Sequence, residues 1–398
     1  MKKRNFSITI LLFIISFNTY SQKEINADKL YNFTNNYAIV EKGDQLQFID
    51  TLGNINPKMK VYQIIYSIFS DDYGVQGNDI YITRESGMSG VKNISGKYIF
   101  EPNYDIEVYH DFFILKTSHK SKNETRKLIV IDKNGKIIYQ ETIPLFDYKK
   151  ILPLNTELIA ISDTRGGRNN LFEIKNINTK ATTGKVFSKV NHEVNGLIKV
   201  RKYNEKEGAY KWGFINTKFE TEIDFIFSKE PGNLIENRIL VKSKNKKFGY
   251  IDGTGKLIIE PKYIEAYNFV NGKALVKVHH QKRLPNKKIN NGYRFIDFEG
   301  KIIKDFESLI PLKFSKKLNP IESNGIVRVK IRDNGYLYTQ CLLNIDTGEL
   351  IKTKYDIIYS FNSGFAVVKF KDKNKKRRTG YINKKGELVF VKALGSKF

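Results

Sequence analysis

Short stretches of alternating apolar and polar residues recur along the whole chain. They include FFILK from Phe112, LIAIS from Leu158, RILVK from Arg238, ALVKV from Ala274, IVRVK from Ile326 and AVVKF from Ala366. A period of two is that of a strand with one buried face. Each stretch is followed by a second apolar run that ends at an Ile-Asp or Ile-Asn pair and then turns. FGYIDGTGKLII from Phe248 is the clearest copy, echoed from Leu46, Leu128, Tyr293 and Thr379 and more loosely from Val91, Glu173, Lys211 and Leu342. In most copies a Gly follows the acid or amide by three residues, as with Asp50 and Gly53, Asp132 and Gly135, and Asp252 and Gly255. The side-chain oxygen caps the turn and the Gly accepts positive φ, so two strands fold back on each other. That is a structural task, and it removes these acids from the catalytic candidates.

The turn residues fall at 50, 93, 132, 178, 216, 252, 297, 346 and 383, a mean interval of about 42 residues. Many units add a Tyr- or Phe-rich segment, such as EPKYIEAYNF from Glu260, so each unit reads as four short strands in a meander. A four-stranded unit of this length is the size of a propeller blade. The predicted fold is all-β, an array of about nine four-stranded antiparallel repeats. A propeller-like arrangement is preferred over an open β-superhelix.

At Trp212-Gly213, Phe248-Gly249 and Thr379-Gly380, and at the EPxY elements Glu101–Tyr104 and Glu260–Tyr263, the chain resembles the WG-repeat family of bacterial β-repeats. The resemblance is clearest from Gly196 onward. Copies from Asn26 to Val190 are degenerate, and Leu46-Gln47 and Tyr293-Arg294 lack the Gly. It implies blades or a superhelix and no particular activity. The organisation read from this is residues 1–21 as a signal peptide, 22–190 as degenerate repeats and 191–398 as clearer repeats, in one continuous array.

The leader is read from Met1-Lys2-Lys3-Arg4, the apolar run Ile8 to Phe17, and small residues at Thr19 and Ser21 ahead of Gln22. Spanning a bilayer takes roughly 20 apolar residues, so the run fits a signal peptide rather than an anchor. The expectation is an exported protein, periplasmic or secreted, with no transmembrane segment in the mature chain. Composition agrees with strands: 28 Gly, 23 Tyr and 27 Phe. The one cysteine, Cys341, forbids an intrachain disulfide and sits in the apolar run CLLNI, where it reads as a small core residue.

Charge changes the picture more than composition does. The formal net charge is +26. Five windows between the alternating strand and the Ile-Asp run, 116–127, 201–211, 242–247, 277–288 and 369–378, hold 25 Lys and Arg against four acids. Equivalent loops of a meandering array leave the same face, so these windows predict an arc of positive potential. Such a field attracts polyanions in a salt-dependent way; solubility and protection of strand edges also employ Lys-rich loops. The candidate ligand-binding residues are Lys282, Arg283, Lys287, Lys288, Lys373, Lys375, Lys376, Arg377 and Arg378. The partners predicted are an acidic protein, an anionic envelope polysaccharide or lipid headgroups, with no nucleic acid expected. Aromatics at Tyr203, Tyr210 and Trp212 lie beside basic residues and suit sugar stacking, although Trp212 reads foremost as core.

No sequence signature of a nucleophile elbow, a zinc helix, a phosphate loop or paired cysteines occurs, and no cofactor or metal is predicted. Glu101 and Glu260 belong to a repeated element, and the pattern-breaking segments Arg165–Arg168, His279-His280 and Asp372–Arg378 form no recognised catalytic set. The chain is therefore expected to be a non-catalytic binding or scaffold module. The alternatives are a structural component of an envelope assembly and a hydrolase of a surface polymer.

Overall fold

Asp252 shows how each unit turns. Its carboxylate Oδ1 accepts the amides of Thr254 (2.9 Å) and Lys256 (3.0 Å), while Gly255, at φ 87°, donates its amide to the Asp252 carbonyl. The same cap closes the turns at Asp50, Asn93, Asp132, Asn216, Asp297 and Asn383. Two expected capping residues are displaced. The caps are Asn176 and Asn344, two residues ahead of Asn178 and Asp346, whose own amides they accept. The Asn344 turn is one residue longer, its Gly348 donating to Asn344 O across four residues, and the cap must sit where the strand ends.

The computed structural model describes residues 23–34, 36–43, 45–61, 80–85, 87–93, 95–117, 125–144, 149–163, 171–278, 292–306, 310–311, 325–333 and 337–393. The expected leader, 1–21, lies outside them. No helix occurs among the described residues. We name the strand positions of a unit a to d in chain order. Among the described residues the array forms eight sheets of three to six strands, seven with their strands in chain order and the last with Lys23–Ile25 added beyond its final strand. The six-stranded sheet holds two units, because Tyr98–Tyr109 serves as d of one and a of the next. Nine units thus make eight sheets.

The Gly of the Trp-Gly pair marks a close approach. Phe248 pairs with Tyr263 and Tyr250 with Ile259, so two residues of strand c face four of strand d, and Glu260-Pro261 forms the bulge between. A Cβ on Gly249 would lie 2.4 Å from the Ile259 carbonyl oxygen. Trp212-Gly213 opposite Ile223 repeats this, with the corresponding oxygen at 2.8 Å. Where Arg294 replaces the Gly, strand d keeps register from Tyr293 to Phe295 and the bulge at that position is missing, leaving one shift between Phe295 and Ile296.

Among the described residues nine hydrophobic clusters hold the sheets together, eight at seams between sheets and one inside the six-stranded sheet. One joins the first sheet to the last, so the array closes into a propeller-like ring. Lys23–Ile25 adds a parallel fifth strand to Leu388–Lys392 of the last sheet. The closing seam reproduces an internal one. Tyr250 donates to the Tyr267 carbonyl at 2.7 Å and meets Phe269 edge-on at 5.0 Å and 67°. Across the closure, Tyr381 donates to the Tyr31 carbonyl at 2.5 Å and meets Phe33 at 5.0 Å and 67°.

Candidate functional site

In an antiparallel meander the a–b and c–d turns lie at one edge of the sheet and the b–c loops at the other. Residues 118–124 and 279–288 of two basic windows lie outside the described residues, whereas the windows 201–211, 242–247 and 369–378 are b–c loops and share one edge. Their best-defined member joins Phe365–Lys371 to Arg377–Asn383. Asp372 opens its turn, accepting the amides of Asn374 (2.9 Å) and Lys376 (3.0 Å) on Oδ1, and the Asp372 amide donates to Lys376 O at 2.9 Å. Desolvation opposes the charge on Asp372, but these amides and the Arg378 guanidinium outweigh it and lower its pKa, keeping it a carboxylate.

Lys369, Lys371, Lys373, Lys375, Lys376 and Arg377 are exposed on this hairpin. Arg378 turns inward, with Nη2 donating to Lys392 O at 3.1 Å and Nη1 3.6 Å from Asp372. Lys371 stands directly opposite Arg377, a pairing of like charges that costs stability in a sheet.

The loop of the sixth unit, between Ile239–Lys242 and Phe248–Ile251, uses the same turn. Ser243 N donates to Lys247 O at 2.8 Å and Lys246 N to Ser243 O at 3.0 Å. Lys242, Lys244 and Lys246 are exposed. In both loops the residue that must take a left-handed backbone is a lysine, Lys246 at φ 62° and Lys375 at φ 60°. The c–d turns place Gly there. The exceptions are exposed Lys180 (φ 66°), in the turn capped by Asn176, and Phe219 (φ 72°), which packs on a core cluster.

The fifth-unit hairpin, Leu197–Asn204 with Ala209–Asn216, spends its cations differently. Buried Lys211 pairs with Glu207 at 2.5 Å and donates to Ser228 Oγ at 3.1 Å. Buried Lys199 pairs with Glu230 at 2.9 Å. The Arg201 guanidinium lies 4.9 Å from the Tyr210 ring centroid and 5.7 Å from that of Trp212, and its Nε donates to Ser188 Oγ at 3.0 Å.

Trp212 is core, 4% exposed, whereas Tyr203 and Tyr210 are 51% and 42% exposed. Lys282, Arg283, Lys287 and Lys288 lie outside the described residues, as do His279-His280 and Arg165–Arg168. Cys341 is buried core. Glu101 and Glu260 are exposed on the bulges over Gly90 and Gly249. No group of three or more His, Cys, Asp or Glu among the described residues is placed to hold a metal ion.

The model of the WG containing repeat matches residues 212–247, 248–279 and 344–373. Three copies of this repeat therefore lie within residues 212–373. Each matched repeat runs from strand c, or the c–d turn after it, to the b–c loop of the next unit, so it straddles a seam. Tyr250, Ile259, Phe269 and Val276, all within 248–279, form one inter-sheet cluster. No curated protein matches the chain.

Among solved structures, a eukaryotic initiation factor superposes with TM-score 0.50 at 10% identity, over 91% of this chain and 95% of that one. That shows the fold alone. An uncharacterized protein from Listeria monocytogenes gives TM-score 0.35 at 12% identity, over 74% of this chain and 96% of that one. The β-propeller domain of the Trilobed protease from Pyrococcus furiosus gives 0.29 at 9%, over 74% and 82%.

The WG-repeat pattern did not single out His110 and His192, which come from the third and fifth units. Their rings stack with centroids 3.5 Å apart and planes at 31°. Desolvation lowers both pKa values. His192 falls to about 4, helped by the charges of His110 and Lys199 and opposed by Asp111. Isolated histidines in unrelated segments carry no sequence signal of this meeting.

Proposed function

We propose that this protein is a non-catalytic, exported binding module whose b–c loop face takes an anionic polymer or an acidic protein surface. The observation that carries the reading is the retention of unfavourable local features in the exposed basic loops. Lys246 and Lys375 occupy a backbone region that costs an L-residue about 1–2 kcal/mol, and Lys371 faces Arg377. Solubility asks for charge but not for charge at these positions, and strain of this kind concentrates at functional sites.

The test is binding of anionic glycans, anionic vesicles and acidic proteins at about 0.05 M and about 0.5 M salt, where the screening length falls several-fold. Neutralising Lys373, Lys375, Lys376 and Arg377 to Gln, alone and with Lys282, Arg283, Lys287 and Lys288, should weaken binding stepwise. Binding that ignores both salt and the substitutions would remove the basic face from the function.

The assembly reading rests on a different observation. Ile55, Ile137, Leu257, Ile302 and Leu350 stand at equivalent positions just after the c–d turn, each at least one-third exposed. These residues lie at the opposite edge from the basic loops. Salt-insensitive self-association would favour that reading.

A further inference from the structure

Resting on the basic-face reading, we infer that Tyr203 and Tyr210 form a stacking platform for a sugar ring, which makes the preferred ligand an anionic polysaccharide. The two tyrosines are directly opposed across the fifth-unit hairpin, at positions equivalent to Lys371 and Arg377 of the ninth unit. One b–c loop thus offers a pair of cations where the other offers a pair of aromatics. The rings meet edge to face, centroids 5.2 Å apart and planes at 71°, and stay about half exposed.

The platform is held from below. Arg201 lies within reach of both Tyr210 and Trp212, and Lys199 lies 5.9 Å from the Trp212 ring. This ladder runs from the exposed tip into the buried core, so the rings are fixed before a ligand arrives and little ordering cost remains. Its chemistry favours a sugar over a nucleic acid. Asn204, Glu205, Lys206 and Glu207 form the tip; Glu207 is paired with buried Lys211, and Asn204 Oδ1 accepts the amides of Lys206 and Glu207. The exposed Glu205 carboxylate and Lys206 ammonium suit the hydroxyl groups and sparse carboxylates of a sugar chain, whereas the phosphodiesters of a nucleic acid offer no donor to a carboxylate. A uronate-type polymer, with sparse carboxylates and an apolar ring face, fits both the tyrosines here and the lysines of the neighbouring b–c loops.

The experiment compares the full chain with Tyr203→Ala/Tyr210→Ala against three probes of matched charge: oligogalacturonate, polyphosphate and single-stranded oligothymidine. The single Trp supplies a fluorescence readout, because Trp212 touches Arg201 beneath the pair. We expect oligogalacturonate to bind tighter than polyphosphate, and the double variant to lose about tenfold or more for the glycan alone, since one stacking contact contributes about 1–3 kcal/mol. Equal binding of all probes, unchanged by the variant, overturns the platform and leaves the basic face standing. Preferential binding of oligothymidine that the variant abolishes assigns the tyrosines to bases and overturns the glycan inference. Absence of binding by every probe at low salt overturns the basic face and the platform together. Tyr203→Phe/Tyr210→Phe should retain glycan binding; a loss equal to that of the alanine variant would show that hydroxyl chemistry, not stacking, is at work.

Discussion

Two lysines carry the argument at the scale of single residues. The turn of Asp252 to Lys256 and the turns of Ser243 to Lys247 and Asp372 to Lys376 close with the same pair of backbone hydrogen bonds. The fourth residue must be left-handed in all three, and only the first uses Gly. Exposed Lys246 and Lys375 gain no packing in exchange. Replacing each by Gly should stabilise the fold by about 0.5–1 kcal/mol, the relieved strain less the extra freedom of Gly in the unfolded chain.

The same replacements should weaken polyanion binding by about fivefold per site, since a surface cation contributes about 1 kcal/mol toward an anionic surface. Thermal unfolding and a binding isotherm on Lys246→Gly and Lys375→Gly check both signs. Destabilisation would show that the lysines are not strained. The Asp/Asn-x-x-Gly turns were legible from sequence because both of their special residues are diagnostic. The lysine versions were not, because a Lys-rich turn reads as solvated loop whatever its φ.

At the scale of the element, the seam is the repeating unit. The matched repeats straddle two sheets, and the cluster at a seam can join the d strand of one unit to the b strand of the next, as Ile259 and Val276 do. Period-two patterning reveals strands and their buried residues without saying which neighbour covers them. For that reason the nine units were legible but their count of sheets was not. Nothing in EPNYDIEVYH from Glu101 announces that one strand will serve two units, whereas the EPKY copy at Glu260 ends its strand at Tyr263.

A second link between units is the His110–His192 stack, which Tyr109, Asp111, Lys199 and, through Lys199, Glu230 surround. Both imidazoles are held neutral below their ordinary pKa, so the unfolded chain takes up protons that the folded chain refuses. Stability supplied by the pair is therefore complete above about pH 6.5 and is lost as pH falls through about 4 for His192. The expected result is a melting temperature that declines between those values and a shallower decline in His192→Asn. A flat profile in the parent protein would mean that the stack does not couple to folding.

At the scale of the whole molecule, closure decides whether the basic loops form a ring or a strip. The closing seam uses the same tyrosine, carbonyl and edge-on phenylalanine as the internal seam at Tyr250, so the ninth and first units meet without a special joint. The YNF segments at Tyr31 and Tyr267 could have signalled this in the sequence. The three-residue clasp Lys23–Ile25 could not, because a parallel pairing so short has no pattern of its own.

The clasp nevertheless does energetic work. Ile25 and Ala27 are buried against Phe33, Tyr381 and Phe390, Ala393 donates to Ile25 O at 2.9 Å, and Lys392 reaches Asp28 O at 2.7 Å. Removing everything before Lys29 should cost about 3 kcal/mol, from one large and one small buried side chain plus several ladder bonds. The loss should fall on the closing seam first, with the first and ninth units separating and small-angle scattering reporting a larger radius before the internal seams unfold. Long anionic polymers that contact several b–c loops should then bind less tightly, while short oligomers confined to the fifth-unit hairpin keep their affinity. Equal loss for both lengths would mean that the ring acts through its individual loops and not through their arrangement.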